Sequence, residues 1–205
     1  MKNYIYYPQL LPKDIASKTL KYLQTEVPWR QVSYYSNKAK KTILTPRETY
    51  VYGFHQENRK QLLLDPHKTS INIKPVPQEL RPIYLWVSKY FNEYFNFMLL
   101  AKYSKPEHSI SFHSDDESFL IKDSSIISVT LSEPSVYRKF IMKNIKTKEK
   151  DEYLLGNQDV FKMSYETQRT HYHGIPKQKQ INGIRYGITF RNGNANAFKN
   201  YYRYN

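Results

Sequence analysis

"FNFMLLAKYSKPEHSISFHSDDESFLIKDSSIISVTLS", residues 95–132, packs three short apolar runs between prolines, lysines and acids. Each run is four to eight residues long, too short for a stable helix and the right length for a strand. The pattern continues through "RKFIMKN" (138–144), "EYLLGNQDVFKMS" (152–164), "THYHGIP" (170–176) and "IRYGITFRN" (184–192). Short strands at roughly ten-residue spacing point to two packed antiparallel sheets, a sandwich or jelly roll.

The residues before this region read differently. "PKDIASKTLKYLQT" (12–25) sets Ile15, Thr19, Leu20 and Leu23 at helical spacing, with Asp14 in the first turn, where a carboxylate suits the helix dipole. "PQELRPIYLWVSKYFNEY" (77–94) places Leu80, Tyr84, Val87, Phe91 and Tyr94 on one stripe, with Pro77 and Pro82 early, where a missing N–H costs least. Between them, "EVPWRQVSYYS" turns extended at Pro28, Lys38, Lys40 and Lys41 form a basic loop or hairpin tip, and "TPRETYVYGF" (45–54) is extended. The class is α+β: N-terminal helices and extended segments braced against a β-core.

Bulk properties narrow the function. At 205 residues the chain can bury one substantial core. The absence of cysteine excludes disulfides, thiolate metal sites and a cysteine nucleophile. No signal sequence and no apolar run of membrane-spanning length is visible, so an intracellular location, cytoplasmic or nuclear, is expected, with no membrane partner and no obligate protein partner. A net charge of +14 and a pI near 9.6 favour a polyanionic partner.

One motif carries chemistry. On a strand, residues i and i+2 share a face, so His113 and Asp115 of "SISFHSD" project together and Ser114 points away. A downstream strand, "THYHGIP", offers His171 and His173 at the same period. Two histidines and one carboxylate make the facial triad of non-heme Fe(II) oxygenases, and zinc hydrolases use the same donors. The following strand favours iron. "RYGITFR" (185–191) puts Arg185, Gly187, Thr189 and Arg191 on one face and Tyr186, Ile188 and Phe190 on the other. Guanidiniums on a core-directed face need anionic partners. Six residues of strand span about 20 Å, but long arginine side chains on a curved strand can converge on a small dicarboxylate, which their forked donors suit.

With these residues the chain resembles the AlkB-type Fe(II)/2-oxoglutarate dioxygenases, closest to the animal homologues that repair alkylated double-stranded DNA. The resemblance covers about residues 40–192. It rests on "HSDDE", "YHGIP", the arginines twelve and eighteen residues after His173, "FNFMLLAKY" and "PRETYVYG". It implies a single domain over 1–205, with helices and a nucleotide-recognition lid over 1–94 and a double-stranded β-helix (jelly-roll) core over 95–192. It implies Fe(II) held by His113, Asp115 and His173, with 2-oxoglutarate as co-substrate and O2 as oxidant. The spacing to Arg185 selects His173 over His171. Arg185 is then expected at the distal carboxylate of 2-oxoglutarate, Arg191 near its metal-chelating end, and Tyr103 as a hydroxyl donor to it. Asp116 is expected to accept from the exocyclic amine of a target base, with Glu117 nearby, or both acids to orient His113 or an arginine. Arg47 and Tyr52 are expected in the lid, and Tyr50, Phe54 and His55 are candidates to stack on the base.

The sequence departs from the family at two places, where Ala101 and Gly187 replace asparagines that help anchor the co-substrate. The implied reaction is oxidative demethylation of bases such as 1-methyladenine and 3-methylcytosine in DNA or, less favoured, RNA, releasing formaldehyde, succinate and CO2. Lys38, Lys40 and Lys41, or the lysines at 143, 146, 148 and 150, or at 177 and 179, are the candidate phosphate contacts. The competing readings are an oxygenase of the same chemistry acting on protein or a small molecule, and a non-catalytic nucleic-acid-binding jelly roll.

Overall fold

The computed structural model describes residues 2–36, 40–53, 63–64, 71–72 and 74–194. The elements run β1 (Tyr4–Tyr7), α1 (Lys13–Thr25), β2 (Arg30–Ser36), β3 (Lys41–Gly53), β4 (Leu63–Leu64), β5 (Ile71–Asn72), α2 (Arg81–Phe91), β6 (Phe97–Tyr103), β7 (Ile110–His113), β8 (Ile126–Ser132), β9 (Arg138–Asn144), β10 (Lys150–Leu155), β11 (Val160–Met163), α3 (Tyr165–Thr170), β12 (His171–Ile175) and β13 (Arg185–Arg191). A seven-stranded antiparallel sheet, ordered β1-β11-β8-β13-β6-β3-β2, faces a four-stranded one, β10-β9-β12-β7. This is the double-stranded β-helix. β1 extends one edge of the larger sheet and β2 and β3 the other, so the N-terminal segments complete the sheet as well as cover it.

Two cores divide the apolar mass. The larger lies between the helices and the outer face of the seven-stranded sheet, where Leu23, Leu80, Ile83 and Val87 meet Leu100, Val129, Ile188 and Phe190. The smaller lies between the sheets, where Tyr103, Phe140, Met142, Phe161 and Ile175 pack. α1 forms as its spacing predicts, burying Ala16, Thr19 and Leu23. The second helix is shorter than 77–94: a 3₁₀ turn covers Gln78–Leu80, and Asn92, left-handed at φ 50°, stops α2. Its buried stripe therefore runs through Leu80, Ile83 and Val87, and Tyr94 lies beyond it, 62% exposed.

The stretch 152–164, expected as one strand, is two strands in different sheets. A turn at Gly156–Asp159 carries the chain across. Asp159 accepts from the Gly156 N–H at 2.7 Å, and Gln158 is left-handed at φ 72°. The same carboxylate accepts from the Tyr6 hydroxyl at 2.8 Å and the Gln9 N–H at 2.9 Å, which ties the N-terminus to the turn. The six-residue α3 was not expected. Ser164 caps it by accepting from the Thr167 N–H.

Candidate active site

β7 and β12 are neighbours, and their pairing sets His173 directly opposite His113. The two imidazoles lie 4.3 Å apart between ring centres. Asp115, two residues beyond the end of its strand, turns back between them. His113 Nε2 lies 3.6 Å from Asp115 Oδ1, and His173 Nε2 lies 3.7 Å from Asp115 Oδ2. These separations are too long for hydrogen bonds. One donor atom from each of the three residues falls within 4.8 Å of the others. His113 Nδ1 donates to the Ser111 carbonyl at 2.9 Å, which fixes the tautomer and leaves Nε2 as a lone-pair donor. Gly174 permits this strand pairing. A Cβ there would come within 3.0 Å of the Ile110 carbonyl oxygen, and the register shifts at this point.

β13 delivers the cations. Its alternation is as read: Tyr186, Ile188 and Phe190 enter the helix-side core, while Arg185, Gly187, Thr189 and Arg191 line a cavity of about 60 Å³ between the sheets. His113, Asp115, His173, Tyr103 and Arg47 line the same cavity. Arg185 is 2% exposed and has no carboxylate partner within ion-pair distance among the described residues. Its Nη2 donates to Thr130 Oγ1 at 2.8 Å, its guanidinium sits 5.1 Å over the Tyr103 ring, and its Nε is orphaned. Burial pulls its pKa down from the ordinary arginine value. Arg191 donates to Asp115 Oδ1 at 2.8 Å and to Glu117 Oε1 at 3.4 Å.

The charges are set by these contacts. Burial opposes ionisation of Asp115, but Arg191, with the two imidazoles and Arg47, holds its carboxyl below the usual range. Burial pushes Glu117 up, with Arg191 opposing and Asp115 adding to the rise. His173 is pushed down to about 4, chiefly by burial, so its imidazole is neutral near pH 7.

The donor set fits Fe(II) with a dicarboxylate beside it. Two imidazoles and one carboxylate converge, and a buried cation lies across the cavity. Orphaned buried atoms concentrate in the same place. Asp115 Oδ2, His173 Nδ1, Arg185 Nε and Arg191 Nε are four of the eight among the described residues.

The remaining expected residues are placed less uniformly. Glu117 reaches the site through Arg191, whereas Asp116 is exposed and does not line the cavity. Arg47 is at the cavity, but Tyr52, an odd number of residues further along β3, faces the helices. It is 4% exposed and hydrogen-bonded to the Tyr22 hydroxyl at 3.1 Å. Tyr50 packs beside it, 4.9 Å between ring centres. Phe54, His55 and Lys38 lie outside the described residues. His171 turns to the Tyr4 ring and bonds Thr170 Oγ1 at 2.9 Å, away from the cavity.

Two residues escaped the sequence reading. Arg138, 1% exposed, lies 5.6 Å over the Tyr103 ring and donates to the His108 carbonyl at 2.8 Å. Its parity with the inward Phe140 and Met142 was the available signal. Gln168 accepts from the Asp115 N–H at 2.9 Å and fixes the acid's backbone; nothing in the sequence marks it. Ala101 and Gly187 are direct cross-strand partners, and both line the cavity.

The family model of the 2OG-Fe(II) oxygenase superfamily matches residues 3–191. No curated protein matches the sequence. Among solved structures, the chain is similar to the structure of OsALKBH1, with a TM-score of 0.59 and 12% identity over 93% of this chain and 98% of that one. It is also similar to an oxidoreductase of the 2OG-Fe(II) oxygenase family from Burkholderia pseudomallei, with a TM-score of 0.56 and 13% identity over 94% and 88%. At these identities the likeness is one of fold. No described helix is long and apolar enough to cross a membrane.

Proposed function

The chain belongs to the 2OG-Fe(II) oxygenase superfamily, and from that premise we propose that it demethylates N-alkylated bases in nucleic acid, DNA before RNA. Membership implies Fe(II), 2-oxoglutarate and O2. When bound, these supply oxidation of an N-methyl C–H bond to a hemiaminal that releases formaldehyde, with 2-oxoglutarate leaving as succinate and CO2.

The chain's own residues bind, orient and exclude. His113, Asp115 and His173 hold Fe(II). Arg185 takes the distal carboxylate of 2-oxoglutarate with help from the Tyr103 hydroxyl. Arg191 keeps Asp115 ionised and turned inward, and Glu117 steadies Arg191. Arg47, at the cavity, belongs to a lid formed by β2 and β3 over a flipped nucleotide. Tyr52 acts in that lid by fixing β3 against α1. Asp116 accepts from the exocyclic amine and, as an exposed carboxylate, suits a cationic lesion. On this reading 1–205 is one domain, with recognition elements over 1–94 and the oxygenase core over 95–192.

The observation that carries the proposal is Arg185, a buried guanidinium with no carboxylate partner among the described residues, sharing one cavity with the triad. The charge of +14 supports the choice of polyanion. A second reading, oxygenation of a protein or small molecule, is favoured by one fact: the tyrosines of β3 face the helices and offer the cavity no stacking ring. Anaerobic loading with Fe(II), then O2, 2-oxoglutarate and oligonucleotides carrying single methylated bases, distinguishes them. Formaldehyde from a methylated strand is expected. Succinate without formaldehyde across the whole panel, in DNA and RNA, would turn the assignment to the second reading.

A further inference from the structure

The four-stranded sheet turns one face to the cavity and leaves side chains of the other in solvent. Alternation puts Phe112 and Tyr172, the neighbours of the two site histidines, on that outer face, 41% and 39% exposed. Lys143 on β9 stands directly opposite Lys150 on β10 and also opposite Tyr172 on β12. Like charges facing each other across strands are destabilising. Neither lysine pairs with a carboxylate within 4.0 Å among the described residues. Both ammoniums lie over the Phe112 ring instead, at 5.4 and 5.9 Å. The nearby acids make their close contacts elsewhere: Glu152 with Lys139 at 2.8 Å, although its charge also reaches Lys150, Asp151 with Lys2 at 2.8 Å, and Glu149 with the Thr147 hydroxyl at 3.0 Å. Beside Phe112 lies a hollow of about 190 Å³, lined by Ile141, Gly174, Pro176 and Lys177 among others.

We propose that this outer face is a docking platform for single-stranded nucleic acid, with Lys143 and Lys150 on phosphates and Tyr172 and the hollow beside Phe112 on bases. Cations with no carboxylate in ion-pair contact, set beside solvent-facing rings, are the combination that single strands use and duplexes cannot, because a duplex hides its base faces. The location joins platform to chemistry. β7 is the free edge of its sheet, and His113 on it is 31% exposed at the side chain. A strand crossing the outer face and rounding that edge presents its next nucleotides at the cavity. The proposal rests on the nucleic-acid reading above and supplies its strandedness.

The test is fluorescence anisotropy with an unmodified, labelled oligothymidylate and a duplex of equal length, with neither iron nor 2-oxoglutarate added. The double variant Lys143→Glu/Lys150→Glu is expected to raise the Kd for the single strand at least about tenfold and to flatten the log Kd against log salt slope by about 1–2. Tyr172→Ala is expected to weaken the single strand by about 5- to 100-fold and leave the duplex unchanged. Tyr172→Phe, which keeps the ring, should bind as the parent does and serves as the folding control. The inference is overturned if the lysine variant binds within twofold of the parent, or if Tyr172→Ala weakens both strand types equally. It also fails if anionic vesicles are bound and the oligonucleotide is not. Binding as expected, with no formaldehyde from methylated strands, would remove the demethylase reading and leave the platform standing.

Discussion

One strand, β13, meets two environments. On the helix side, Tyr186, Ile188 and Phe190 are among apolar neighbours and have no task but packing. On the cavity side, Arg185 and Arg191 are equally buried, yet retain orphaned nitrogen atoms. The difference separates what holds the protein together from what it is held together for. Burial of an apolar side chain stabilises the fold directly, by about 1.5–3 kcal/mol for a residue of this size. Burial of a guanidinium such as that of Arg185, which has a hydroxyl partner but no carboxylate among the described residues, costs stability that an arriving anion recovers.

The sharpest way to break that contrast is at the acid. Asp115→Ala should abolish turnover, measured as succinate release, while affinity for an unmodified oligonucleotide stays within about twofold, since phosphate contacts dominate nucleic-acid affinity. Loss of both together would mean that the site and the binding surface are not separable.

Arg185→Met asks whether the cavity face is built for a ligand. Truncating one partner of a buried charge pair costs about 2–5 kcal/mol, so the Kd for 2-oxoglutarate, read by calorimetry with Mn(II) in place of iron, should rise by about 30-fold or more. The ligand-free protein should unfold at an equal or higher urea concentration than the parent, because a desolvated cation has been removed. Ile188→Ala on the opposite face should do the reverse. Stability should fall by about 2–5 kcal/mol, with the co-substrate Kd unchanged.

This division is also why the sequence could be read as far as it was. Period-two alternation in "RYGITFR" names both faces of β13 from parity alone, and His-x-Asp with a distant histidine needs only the same rule. In "PRETYVYG" the same parity sets Arg47 and Tyr52 on opposite faces, so the two cannot share the role in the lid that the resemblance implies. Turns that depend on side chain to backbone bonds were harder. Nothing in the apolar pattern of 152–164 distinguishes one long strand from two, because the switch between sheets is made by Asp159 accepting from Gly156, Gln9 and Tyr6. Arg138 and Gln168 act through partners far away in sequence, 30 and 53 residues off, which no local pattern encodes.

Proton binding offers a milder probe of the cavity face. His173 is neutral when folded down to a pH of about 4, whereas an unfolded chain protonates it near 6.5. Between those values the unfolded state binds more protons, so stability falls as pH falls. The metal-free protein should be less stable by an order of 2–3 kcal/mol at pH 4.5 than at pH 7 from this group, and His173→Gln should remove that part of the slope in urea titrations.

The smallest effect tests the two small residues on the cavity side of β6 and β13. Ala101 and Gly187 face each other across β6 and β13, and both line the cavity. A Cβ at Gly187 would meet Arg185 Nη1 at 3.2 Å and Nη2 at 3.5 Å, tight but against the free end of a long side chain. Gly187→Ala should therefore cost about 1 kcal/mol in 2-oxoglutarate affinity, about a fivefold rise in Kd, with stability unchanged because the guanidinium can shift. A larger loss would mean that Arg185 has no freedom to move and that the glycine sets its position. No loss would mean that the co-substrate does not approach this part of β13, and the cavity-side role assigned to Arg185 would have to move elsewhere.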